Sequence, residues 1–183
     1  MAITGVKMAR LLVLLTLLAA AAAPASAQNL SIAAFHGTFQ GNGVAENDDS
    51  AYFAMTPRDF DVVIAPANNG FTITWTSVIR EGGDPKAPNV RRKSTTRAFA
   101  STGKGMFRAV DSGDPVKGEE ASWARIRKNT LTIYAMTVDP DGSYQVQRYD
   151  RTLSGTGMDL TFIRTKDGER TRRVKGKLVK NVR

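Results

Sequence analysis

Alternation of apolar and polar residues with a period of two runs through most of this chain after residue 27, and it constrains the fold more than any other feature. Phe71, Ile73 and Trp75 alternate with Thr72 and Thr74, as in a strand whose successive side chains point to opposite faces. Turn-forming clusters of Gly, Pro, Asn and Asp recur at short intervals. No segment after residue 27 keeps a helical period over the length of an ordinary helix. The sequence therefore predicts an all-β protein.

The predicted strands have to hide their edges, because an open edge is a template for pairing with other chains. About eight to ten strands joined by short connections favour an antiparallel up-and-down meander that closes into a single barrel. Asp139-Pro140-Asp141-Gly142 is the clearest hairpin turn, since proline presets φ and glycine accepts a positive value. A two-sheet β-sandwich is the alternative.

The first 27 residues have the pattern of a secretory signal peptide. Lys7 and Arg10 precede the apolar run Leu11–Leu18, and the alanine-rich tract that follows ends in a small-x-small cleavage pattern. The apolar run is too short to span a bilayer. We therefore predict a cleaved signal peptide over residues 1–27 and a single β-barrel domain over residues 28–183. We expect a bacterial protein that is exported to the periplasm or to the medium, that is, a periplasmic or secreted protein.

The chain is basic, with 26 Lys and Arg against 17 Asp and Glu and a formal net charge of +9. Nine of the basic residues and two of the acidic ones fall between Arg164 and Arg183. One hypothesis is contact with an anionic envelope surface, carried by four residues of the last strand: Arg172, Arg173, Lys175 and Lys177. The alternative is a solvated strand whose lysines discourage edge pairing. The exported compartment argues against nucleic acid as a partner.

The mature chain is not expected to cross a membrane. No apolar run after residue 27 approaches the roughly 20 residues of a transmembrane helix. An outer-membrane barrel also fits poorly, because the predicted outward faces carry Thr, Arg and Lys in place of an apolar band and the last residues are Asn181-Val182-Arg183. The absence of cysteine excludes disulfides and thiol chemistry.

Gly37-Thr38-Phe39, at the start of the first predicted strand, resembles the Gly-x-Trp signature of calycin barrels, the lipocalin and fatty-acid-binding-protein group. Phe39 stands where those proteins have Trp. The resemblance implies a lipocalin-like barrel with an internal cavity for a small hydrophobic or amphiphilic ligand. In lipocalins the signature aromatic closes the barrel floor beneath an arginine from a late strand, and Arg164 or Arg172 would take that role here.

Five residues are candidates for lining or capping such a cavity: Trp75, Trp123, Arg125, Tyr134 and Arg148. An arginine that shares a strand face with aromatic residues, and points inward, would hold a carboxylate or phosphate head group in its planar fork. The alternative is a strand whose inward face changes at a bulge, which leaves Arg125 and Arg148 in water.

The residues give little support for catalysis, a metal or a cofactor. His36 is the only histidine and there is no cysteine, so the usual zinc sites cannot form, and no nucleophile-elbow motif accompanies it. Related barrels bind haem through a late histidine, whereas His36 lies in the first strand. The acidic turn at Asp139 lacks the spacing of an EF-hand. We expect a non-enzymatic protein, and the alternative is an enzyme assembled from carboxylates and tyrosines of distant strands.

Overall fold

The computed structural model of the protein describes residues 28–48, 55–80 and 90–181, so the predicted signal peptide lies outside the described residues. Within the described residues the chain forms ten β-strands and two short 3₁₀ helices, Ile32–Phe35 and Pro115–Lys117. The strands are β1 (Gly37–Asn47), β2 (Met55–Ala67), β3 (Gly70–Arg80), β4 (Val90–Gly103), β5 (Met106–Ala109), β6 (Ala121–Arg127), β7 (Thr130–Val138), β8 (Tyr144–Leu153), β9 (Gly157–Lys166) and β10 (Glu169–Asn181). Neither helix is long or apolar enough to span a membrane.

The strands form one closed antiparallel barrel in which each strand pairs with its neighbours in sequence. Closure comes from β1 and β10, which pair from Thr38 opposite Asn181 to Asn47 opposite Arg172. The predicted up-and-down meander is therefore confirmed, and the sandwich alternative is wrong. Closure satisfies the backbone groups that an open sheet would leave unpaired along both edges.

Two glycines let the first and last strands approach at the closure. Gly43 of β1 lies opposite Gly176 of β10. A Cβ atom on Gly43 would overlap the carbonyl oxygen of Lys175, and one on Gly176 would lie 3.3 Å from the ring of Phe60. Glycine at these positions therefore allows the close backbone approach and leaves room inside the barrel for the Phe60 ring.

One end of the barrel is filled by apolar side chains, which we call the floor. The 3₁₀ helix Ile32–Phe35 packs its buried Phe35 there, beside buried side chains from the nearby strand ends: Phe39, Ile64, Phe71, Phe99, Phe107, Ile126, Leu131, Met158 and Leu178. The Phe71 ring stacks on Phe99 at 5.0 Å and meets Phe107 edge-on at 5.1 Å between centroids. These contacts form a dry, close-packed core.

A lysine covers the aromatic residue of the Gly-x-Phe element. Phe39 lies opposite Lys180 in the β1–β10 ladder, and the Lys180 ammonium lies 5.7 Å from the centroid of the Phe39 ring. The resemblance to lipocalins suggested Arg164 or Arg172 for this position. Those two arginines lie at the other end of the barrel, where β9 ends and β10 begins, so the register excludes both.

Candidate ligand-binding site

A cavity of about 360 Å³ occupies the half of the barrel away from the floor. Its volume falls in the range of about 300–1,000 Å³ that is usual for small-molecule sites. Nine of the described lining residues are apolar or aromatic: Phe60, Val62, Trp75, Ile133, Ala135, Tyr149, Leu160, Phe162 and Val174. The charged residues of the described lining are Arg58, Lys93, Arg97, Glu120, Arg151, Arg164 and Arg172. Six cations therefore meet a single carboxylate.

Arg151, on β8, is the deepest of these cations. Its side chain is only 1% exposed, and it lies opposite Leu131 and Leu160 in the flanking ladders. Nε and Nη1 have no hydrogen-bond partner among the described residues. Burial lowers the pKa of the guanidinium to about 10, so the group stays charged at neutral pH. Burying a charge without a paired anion is costly.

An aromatic cluster surrounds Arg151 and crosses the cavity. The guanidinium lies 5.6 Å from the ring centroids of both Trp75 and Tyr149. Trp75 comes from β3 and Tyr149 from β8, on opposite walls of the barrel, and their rings are 5.4 Å apart. Phe162 continues the cluster at 4.7 Å from Tyr149. Cation–π contact offsets part of the desolvation of Arg151 but supplies no hydrogen-bond acceptor.

The hydroxyl of Tyr149 is already engaged. It donates a hydrogen bond to Oε1 of Gln147 at 2.6 Å. Burial raises the pKa of the Tyr149 phenol, so the side chain is neutral and presents its ring to the cavity. Trp75, Tyr149 and Phe162 therefore supply an apolar wall directly above a buried cation.

Three arginines surround the mouth of the cavity and are called here the mouth arginines: Arg58 of β2, Arg164 of β9 and Arg172 of β10. Arg164 and Arg172 lie directly opposite each other in the β9–β10 ladder, an arrangement that like charges disfavour. Burial, followed by the charges of Arg172 and Arg91, lowers the pKa of Arg58 to about 10. Positive charge is therefore concentrated at this end of the barrel.

A β-bulge at Thr171 orients Arg172 into the cavity. The β9–β10 register shifts between Arg170 and Arg172, and Arg170 instead forms an exposed ion pair with Asp48 at 2.7 Å. Nε of Arg164 donates to the Thr171 hydroxyl at 3.1 Å. Bulges commonly re-aim side chains in this way, and here the bulge brings a second guanidinium to the mouth.

Arg97 is neutralised by the protein itself. Its guanidinium forms an ion pair with Glu120, and Nη1 donates to the Ser122 hydroxyl at 2.8 Å. The Ser122 hydroxyl in turn donates to the backbone carbonyl of Tyr134 at 2.8 Å. The one carboxylate among the described lining residues is therefore already paired.

Trp75 is the one predicted cavity residue that lines the cavity. The structure places the other four on the outer face of the barrel: Trp123, Arg125, Tyr134 and Arg148. On β6 the buried residues are Ser122, Ala124 and Ile126, so the residues between them point outward. A small alanine occupies the interior here, and the large tryptophan lies outside.

The four outward residues contact one another and their neighbours. Trp123 stacks on Tyr134 at 5.1 Å between ring centroids, and the Arg125 guanidinium lies 5.7 Å from the Tyr134 ring. Nε of Arg148 pairs with the Asp150 carboxylate at 3.0 Å. These contacts decorate the outer surface and contribute nothing to the cavity wall.

The four basic residues predicted for surface contact are divided between the two faces of β10. Arg172 lines the cavity. The other three alternate with buried Val174 and Leu178 and therefore lie on the outer face: Arg173, Lys175 and Lys177. Val174 and Arg172 share a strand face, which is the signal in the sequence that separates Arg172 from the rest.

Arg151, Arg58, Arg97 and Arg164 are cavity residues that sequence reasoning missed. A signal exists for Arg151, because it shares the alternation of Tyr149 and Leu153 in the same strand. A signal exists for Arg58 as well, which continues the apolar face of Phe60 and Val62. In each case a charged residue occupies a position that the period-two alternation assigns to the barrel interior. This pattern identifies candidate cavity residues.

No group of three or more His, Cys, Asp or Glu side chains within residues 28–48, 55–80 and 90–181 is arranged to hold a metal ion. A scan against protein-family profiles and searches of curated proteins and of solved structures found no match to this chain. The cavity is therefore the physical basis for a proposed function.

Proposed function

We propose that this protein is an exported, non-enzymatic binder of a small amphiphilic acid, held inside a calycin-like barrel. The ligand's anionic group contacts Arg151, and its apolar part lies against Trp75, Tyr149 and Phe162. The observation that carries the proposal is the fully buried Arg151, which lines the cavity and whose Nε and Nη1 have no hydrogen-bond partner among the described residues.

The energetics of Arg151 favour an anionic ligand. A buried charge without a counter-ion destabilises a fold, and a carboxylate in bidentate contact offsets that cost. No described cavity carboxylate is left to serve, because Glu120 is paired with Arg97. A ligand that brings its own carboxylate or phosphate would satisfy Arg151, and the aromatic wall would cover its hydrocarbon part.

The two tryptophans make a direct binding test possible. Trp75 lies in the cavity and Trp123 on the outer surface, so a Trp123→Phe protein reports the cavity alone by its fluorescence. We expect dodecanoate to change that fluorescence saturably, with dodecanol binding much more weakly because it lacks the charge. Unchanged fluorescence, together with no heat of binding by calorimetry, would overturn the proposal.

The role of Arg151 needs its own variant and control. Arg151→Met keeps a long unbranched side chain and should abolish dodecanoate binding. Arg127→Met is the matched control, since Arg127 is exposed at the end of β6 and should leave affinity unchanged. Equal affinity in the Arg151→Met protein would remove Arg151 from the site.

A second candidate function is contact with an anionic envelope surface. It is favoured by three cations that share the outer face of β10 over five residues: Arg173, Lys175 and Lys177. Changing all three to Gln should then reduce binding to phosphatidylglycerol vesicles, while added salt weakens binding of the unchanged protein. Binding that persists in the triple variant would exclude this surface.

A further inference from the structure

The cavity carries its cations at two depths. Gln147 of β8 lies opposite Arg164 at the mouth, and Arg151 follows four residues closer to the floor on the same strand. Four residues of an extended strand span about 13 Å. Arg151 and the mouth arginines are therefore separate cationic positions within one cavity.

Three aromatic side chains lie between the two positions. Phe162 lies two residues from Arg164 on β9, and Tyr149 lies two residues from Arg151 on β8. Their rings, together with Trp75, form the aromatic cluster between the two cationic levels. A ligand that reaches both levels must therefore carry an apolar or aromatic segment in its middle.

Two of the mouth arginines, Arg58 and Arg164, have no carboxylate partner among the described residues of the cavity lining. Arg58 and Arg164 donate side-chain hydrogen bonds to the neutral hydroxyls of Ser77 and Thr171. Glu120, the carboxylate of the described cavity lining, pairs with Arg97 instead. Arg58 and Arg164 therefore retain charged donors for a second anionic group.

We infer that the ligand is a bis-anion, with one acidic group at Arg151 and a second at Arg58 and Arg164 of the mouth, joined by an apolar segment. The inference rests on the proposed function and adds the second acidic group to it. A simple fatty acid would satisfy Arg151 and leave Arg58 and Arg164 without an anionic partner among the described residues of the cavity.

Paired probes of equal length test the inference. Dodecanedioate and dodecanoate differ only in the second carboxylate, and their affinities are measured by calorimetry and by Trp75 fluorescence in the Trp123→Phe protein. We expect the diacid to bind about tenfold more tightly, as one further charge-assisted contact implies. The Arg58→Gln/Arg164→Gln double variant should bring the two affinities together, and Arg127→Gln should keep them apart.

The outcomes separate this inference from the proposed function. Equal affinities in the unchanged protein, with both lost in Arg151→Met, would overturn the bis-anion and leave the single acidic site in place. If the double variant slows association at low salt while the diacid keeps its advantage, the mouth only steers anions, and the inference is again overturned. If neither acid binds, both proposals fail.

Discussion

The floor and the cavity of this barrel are built on the same strands, yet their interior side chains are satisfied in different ways. On β9 the inward face runs from Met158 and Leu160 through Phe162 to Arg164, and on β2 it runs from Ile64 to Arg58. At the floor each inward side chain packs against another, whereas at the cavity Nε and Nη1 of the buried Arg151 lack an acceptor among the described residues. Close apolar packing is thus concentrated at one end of the barrel and buried positive charge at the other.

The largest expected effect on stability comes from removing a buried aromatic side chain from the floor. Phe71→Ala removes a fully buried ring that contacts Phe99 and Phe107, and should lower the free energy of unfolding by about 3–5 kcal/mol. Urea denaturation measures the change. Phe162→Ala is the comparison at the cavity wall, where the ring already borders open space, and it should cost less. Equal losses would mean that both ends are packed alike.

An increase in the free energy of unfolding is expected when the buried cation of the cavity is removed. Arg151→Met replaces a buried charge that lacks an ion-pair partner among the described residues by a side chain of similar reach, and should raise the free energy of unfolding of the ligand-free protein by about 1–4 kcal/mol. The exposed control Arg127→Met should stay within about 0.5 kcal/mol of the unchanged protein. A clear loss of stability in Arg151→Met would show that the fold itself compensates this charge.

The pH dependence of that difference sharpens the comparison. The pKa of Arg151 is depressed to about 10 in the folded protein and is higher in the unfolded chain. As the pH rises above 10, Arg151 therefore loses its proton in the folded protein, and the free-energy cost of burying its charge disappears. The advantage of Arg151→Met should be constant up to that point and then shrink by about 1.4 kcal/mol per pH unit. Urea denaturation of both proteins between neutral and alkaline pH measures it, and an advantage that stays constant throughout would contradict the burial argument.

The smallest effect on stability is expected from Lys180, the cation over Phe39 at the floor end of the barrel. Lys180→Gln removes the ammonium over the Phe39 ring and should reduce the free energy of unfolding by about 0.5–1 kcal/mol, as for other exposed cation–π pairs. Lys175→Gln, on the outer face of the same strand, is the control and should change stability less. Indistinguishable variants would show that the Lys180 contact contributes nothing.

Much of the fold could be read from the sequence, and less of the site. Period-two alternation and frequent turns predicted an antiparallel meander, because these signals are local and each strand pairs with its sequence neighbour. The candidate site was harder, since alternation shows which residues share a face without showing which face is inside. On β6 the prediction placed Trp123 inside the barrel, whereas the structure buries Ala124.

Bulges add a second reason why the site was missed. A bulge shifts the alternation by one residue, so residues on either side of it cannot be assigned to a face from their spacing. The bulge at Thr171 separates Arg170, which pairs with Asp48 outside, from Arg172, which lines the cavity. In the sequence the two arginines look equivalent.

The amino-acid order alone specifies the strands, their turns, the lack of disulfides and the concentration of basic residues near the C-terminal end, because each of these depends on neighbours in the chain. Closure of the barrel and the register of its strands determine which side chains meet in the cavity. Trp75 and Arg151 lie on strands at opposite walls of the barrel, and they meet only because β1 pairs with β10. Contacts across a barrel interior depend on its diameter and stagger, which are properties of all the strands together.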